Sequence, residues 1–127
     1  MPALERIVFK LSAYPGVRFG KAGRRLEIDP PNPGGFPLSF AEMEKGFQVS
    51  FGPNHWHFED ENEALDYLAF GLSGKCRLRE IRRGKPYKWI VEQETGEGWK
   101  AMHVTGLLFF PFWKRKTETV YRNTLLG

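Results

Sequence analysis

Cysteine is almost missing from this chain of 127 residues: Cys76 stands alone, so no disulfide can form within it, and a reducing, cytoplasmic setting is the expectation. Long apolar runs are missing too. The longest, from Leu107 to Trp113, is interrupted by Pro111 and falls far short of the roughly 20 residues that cross a bilayer as a helix, so no membrane partner is expected. The first residues, MPALERIVFKLS, lack the basic region and apolar stretch of a signal peptide. Phosphate-loop spacing is absent: Gly20-Lys21 is followed by Ala22, no earlier glycine sits at the required distance, and hairpin turns explain the glycines from 16 to 23. No nucleophile-elbow sequence, internal repeat or low-complexity tract occurs. Phosphate-loop nucleotide binding and elbow-type hydrolysis are thereby set aside, and no catalytic residue or cofactor is assigned.

What the chain does have is aromatic bulk. Aromatics make up 15% of it, with eleven Phe and four Trp, enough to fill the core of a single domain spanning residues 1–127. The formal net charge is a modest +4, but it is unevenly spread. Between Lys75 and Trp89 seven cationic side chains face Glu80 alone; between Glu42 and Asp66 seven carboxylates face Lys45 alone. A basic and an acidic region are expected.

One helix is written clearly, over about residues 60–73. Asp60 is a natural N-cap, Glu63 completes a capping box, Glu61 suits the helix dipole, and Ser73-Gly74 offers a left-handed stop. A 3.6-residue period puts Leu65, Leu68, Ala69 and Leu72 on one stripe, to be pressed on a sheet, and leaves Tyr67 and Phe70 on the far side. Elsewhere the period is two. Ile7, Phe9 and Leu11 suggest a first strand; Leu26 and Ile28 a second; Leu38 to Met43, then Phe47, Val49 and Phe51, a hairpin; and His55 to Phe58 a strand with Trp56 and Phe58 inward. The segment PPNPGGFP, residues 30–37, cannot hold regular structure and reads as the most mobile loop. After the helix come strands near residues 76–82, 87–94, 99–104 and 117–125, with LLFFPFW as a further strand apolar on both faces. The expected fold class is α+β, a curved, meander-rich antiparallel β-sheet packed against one principal α-helix.

Three functional readings compete. The first is a non-catalytic binding or protein-interaction domain that self-associates, as a homodimer, through an apolar sheet region, with Tyr67, Phe70, Phe109, Phe110 and Trp113 at the interface. The second is nucleic-acid binding through the basic hairpin 75–89, with Arg77, Arg79, Arg83, Lys85 and Lys88 on phosphates and an aromatic stacked on bases. Its bland counterpart pairs those arginines with Glu92 and Glu94 across the hairpin. The third is a small-ligand pocket or an enzyme site between the helix and the curved sheet, with histidines at its mouth. His55 and His57 project side by side from one strand, and His103 is the remaining nitrogen donor for a metal. Nothing in the sequence brings His103 to them, so no metal is assigned. Cys76 reads as a buried structural cysteine.

Overall fold

The computed structural model describes residues 2–126. The order is α1 (Ala3–Leu11), β1 (Phe19–Ala22), β2 (Arg25–Ile28), β3 (Leu38–Met43), β4 (Gly46–Phe51), β5 (Asn54–Phe58), α2 (Glu61–Leu72), β6 (Cys76–Arg83), β7 (Lys85–Thr95), β8 (Gly98–Gly106) and β9 (Lys116–Arg122). Strands β1 to β5 form one antiparallel meander in sequence order; the other four form a second antiparallel sheet in the order β8-β7-β6-β9. The fold is α+β, as the alternation of short strands and tight turns implied.

The first sheet presents its apolar face through cross-strand rows. Leu26, Phe40, Val49 and Trp56 are paired across β2 to β5, and Ile28, Leu38 and Phe51 form the next row. Most of these side chains are fully buried, and the core continues through Cys76, Leu78 and Val91 of the second sheet. His55 and His57 lie on the opposite, solvent side of β5, as strand alternation requires.

Residues 3–11 are a helix and not the expected strand. Ala3, Leu4, Ile7 and Leu11 are buried while Phe9 is 72% exposed, so the inward spacing is three and four, not two. The alternation of Ile7, Phe9 and Leu11 coincided with a helical pattern whose other members, Ala3 and Leu4, preceded it. The described residues therefore form two helices where the sequence announces one.

In α2 the Asp60 cap is present: its carboxylate accepts from the Asn62 N–H at 2.9 Å. The stop is different. Ser73 is extended, its hydroxyl donates to the Phe70 carbonyl at 2.8 Å, and Gly74 does not adopt a left-handed conformation. The buried face is Ala64, Leu68, Gly71 and Leu72; Leu65 is half-buried and Ala69 exposed. The expected stripe is thus rotated, because Gly71 carries no hydropathy signal yet marks the closest approach to the sheet. A Cβ there would run into the Phe51 ring and come within 2.8 Å of Leu38. The same rotation brings Tyr67 and Phe70 round to the sheet: Tyr67 stacks on Phe51 with ring centroids 4.7 Å apart, and Phe70 lies 6.4 Å from the same ring.

The loop over residues 30–37 is irregular, as its prolines demand, but it is pinned. Phe36 is 1% exposed and packs on Phe51 at 5.6 Å. The Phe36 N–H donates to Asn123 Oδ1 at 2.9 Å, and Asn123 Nδ2 donates to the carbonyls of Gly71 at 2.9 Å and Phe36 at 3.3 Å. Asn32 adds a second tie, donating to the Arg122 carbonyl and accepting from the Thr124 N–H, each at 3.0 Å.

Gly71 gives a sharp test of this packing. On propensity alone, Gly71→Ala would stabilise the helix by about 1 kcal/mol. The overlap with Phe51 reverses the sign, and a net loss of about 1–3 kcal/mol is expected in urea unfolding. A neutral or stabilised variant would contradict the close approach.

Candidate functional site

The run LLFFPFW does not form a strand. It is a crossover that leaves β8 at one edge of the second sheet and returns as β9 at the other, passing over the end where β6 turns into β7. Because the run is not laid in a sheet, most of it is left uncovered. Leu107, Leu108, Phe109, Phe112 and Trp113 are 44%, 84%, 82%, 70% and 71% exposed. Five large apolar side chains open to water on one short loop are far from the scattered single residues of an ordinary surface.

The loop is held, nonetheless. Phe110 turns inward and stacks flat on Tyr87, ring centroids 3.9 Å apart and 9° from parallel. Leu107 N–H donates to the Tyr87 carbonyl at 2.7 Å, and Lys114 N–H to the Pro111 carbonyl at 3.0 Å. Arg83 reaches across from the end of β6 and donates to the carbonyls of Phe112 at 3.3 Å and Lys114 at 3.2 Å. Its guanidinium thus fixes two main-chain oxygens that have no partner in a sheet. Among the proposed interface residues, Phe109 and Trp113 stand in water, Phe110 anchors the loop, and Tyr67 and Phe70 belong to the packing of α2.

The basic hairpin divides into two groups. Arg77 is 2.7 Å and Arg79 3.6 Å from the carboxylate of Glu92, which is only 5% exposed, and Arg79 also faces Glu118 at 3.5 Å. Arg77 further lies 4.4 Å over the Trp99 ring. These arginines neutralise a buried carboxylate and hold a sheet face together. At the loop end the situation differs: Lys85, Lys88, Lys114, Arg115 and Lys116 make no ion pair among the described residues. The register sets these groups side by side, since Arg83 is paired with both Lys85 and Lys116, and Lys88 with Gly106 just before the loop. The result is an apolar knuckle set in uncompensated positive charge.

The three histidines do not converge. His57 Nε2 donates to the Lys45 carbonyl at 2.6 Å, which turns that ring back toward the β3–β4 turn. His103 lies instead against Trp56, ring centroids 3.9 Å apart, near His55. Among the described residues no group of three or more His, Cys, Asp and Glu side chains is placed to hold a metal ion. Cys76 is fully buried, and burial pushes its thiol up to about 12, so the nucleophilic thiolate is scarce at neutral pH.

The space between α2 and the first sheet is filled by Leu38, Phe51, Leu68 and Tyr67. An open groove of about 770 Å³ lies instead between α1 and α2, lined by Ile7, Phe9, Leu65, Ala69, Leu125 and Leu126 among others. No histidine lines it. The expected pocket is displaced because Leu65 and Ala69, which were to fill the helix–sheet contact, face the first helix across this groove.

The chain matches no family model, no curated protein and no solved structure with which it was compared. The geometry carries the functional reading alone.

His103 yields a pH test. Burial, and then the nearby His55, lower its pKa below the ordinary value of 6.5. Protonation then costs more in the folded than in the unfolded chain, so stability is lost as pH falls from about 6.5 through the lowered folded value. An NMR titration should place the His103 midpoint below about 6.5 and shift it upward in His55→Ala. A midpoint at or above that value would contradict the packing on Trp56.

Proposed function

We propose that this chain is a non-catalytic binding domain that docks through the apolar loop 107–113 on the basic end of its second sheet. The observation that carries this reading is the exposure of Leu108, Phe109, Phe112 and Trp113 on a loop otherwise tied down by Arg83 and Tyr87. Nothing within the described residues covers these four side chains; docking would. Burying them is worth roughly 1.5–3 kcal/mol each, which outweighs the low end, about 4 kcal/mol, of the cost of association. Presentation on a held loop reduces the ordering cost further.

Self-association remains one form this docking can take, with a second copy as the partner and a homodimer as the product. It now rests on the loop and not on a sheet face. The nucleic-acid alternative rests on the unpaired lysines of the loop end, since Arg77 and Arg79 are engaged by Glu92.

The double substitution Phe109→Ser, Trp113→Ser tests the reading. Both side chains are exposed, so unfolding stability should change by no more than about 0.5 kcal/mol. Retention on a hydrophobic-interaction column should drop sharply. Collapse of the fold, or unchanged retention, would show that these residues serve the chain's own packing and not a docking surface.

A further inference from the structure

We infer that the partner of the loop 107–113 is the surface of an anionic lipid bilayer, into whose headgroup region the loop inserts. This deepens the docking reading above and rests on it. Three observations favour a bilayer over a protein or a nucleic acid. Leu108 and Phe109 are 84% and 82% exposed, so they project from the molecule, as groups that penetrate a soft surface do. The exposed set combines aliphatic Leu108 with Phe109, Phe112 and Trp113, the amphipathic ring of Trp being suited to the boundary between headgroups and acyl chains. Charge is the third. Lys85, Lys88, Lys114, Arg115 and Lys116 surround the loop without carboxylate partners among the described residues, the complement of a negatively charged leaflet.

Apolar insertion and cationic attraction are each marginal alone, and stable attachment of a peripheral protein takes both. A nucleic acid would use the cations but offers no apolar phase for Leu108 and Phe109. That no helix among the described residues is long and apolar enough to cross a membrane has no bearing here, because a loop of this kind lies in the interface and spans nothing. The shortness of the run 107–113 excludes a spanning segment and leaves interfacial attachment open. Insertion also asks for little rearrangement, since the Tyr87–Phe110 stack and the two Arg83 hydrogen bonds already hold the loop on the sheet.

The test is flotation of the full chain with vesicles of phosphatidylcholine alone and of phosphatidylcholine mixed with phosphatidylserine. Binding is expected only to the mixed vesicles, and it should fall about tenfold or more when salt is raised from low ionic strength to about 0.5 M, where the Debye length shrinks to a few ångströms. Phe109→Ser with Trp113→Ser should abolish flotation, and Lys114→Gln with Lys116→Gln should weaken it about tenfold. Trp113→Phe should keep binding but lose the quenching of tryptophan fluorescence by brominated lipid, a signature that a merely structural role would not produce. No flotation with the mixed vesicles at low salt, or flotation unaffected by both double variants, overturns the inference. Sedimentation velocity separates the two levels. If vesicle binding is absent but the wild-type chain self-associates and the Phe109, Trp113 variant does not, the docking reading stands with a second copy as partner. If neither is seen and retention on the hydrophobic column is also unchanged, both fall.

Discussion

Asn123 is a fully buried amide whose donors and acceptor are all spent on main-chain groups of two distant segments. Through its bonds to Phe36 and Gly71 it joins the end of β9, the proline-rich loop and the last turn of α2. An unpartnered buried amide or carbonyl costs about 1–3 kcal/mol, so these groups are stable in the interior only together. Two glycines make room for the clasp. A Cβ at Gly35 would collide with Asn123 Oδ1, and one at Gly71 with Phe51. Arg122 reinforces the junction, donating to the Gly74 carbonyl at 2.6 Å. The second sheet is thereby fixed to the first through α2, and the apolar loop projects from a body that does not hinge at this point.

Much of this architecture was legible. Hairpins at Lys45-Gly46 and Gly96-Glu97, the inward row Phe47, Val49 and Phe51, the outward His55 and His57, and the Asp60 cap all follow from period-two alternation and local turn chemistry. Those signals live within a few residues of one another. The misses share a different cause. The first helix is hidden because Ile7, Phe9 and Leu11 satisfy a period of two by chance, and the burial of Ala3 and Leu4 with the exposure of Phe9 separates the alternatives. The rotation of α2 could not be seen because hydropathy ignores Gly71, where the contact is tightest. Prolines and glycines alone make residues 30–37 look mobile, since the partners that pin them, Arg122, Asn123 and Thr124, lie some ninety residues away.

The candidate site was visible in composition but not in arrangement. LLFFPFW announced two apolar faces, and the expectation of a covered strand followed; Pro111 and the need to cross from one sheet edge to the other instead leave the run outside both sheets. Likewise the basic run from Lys75 to Lys88 is one feature in sequence and two in space. Alternation and the register with β7 place Arg77 and Arg79 against Glu92, while the turn brings Lys85 and Lys88 to the end of the sheet where the loop crosses. Charge that balances within the sheet builds the domain. Charge left unbalanced at its end, beside exposed aromatics, is what remains for a partner.

The joining of the proline-rich loop, α2 and the end of β9 at Asn123 is the constraint on which the fixed relation of the two sheets rests, and native-state hydrogen exchange at the Phe36 N–H tests that junction most directly. With the clasp formed, this amide should be as protected as the slowest amides of β3 and β4 and should exchange only through global unfolding, despite lying in a proline- and glycine-rich loop. Exchange at the rate of an open loop, as fast as the amide of Phe109, would show that the two sheets are not joined there.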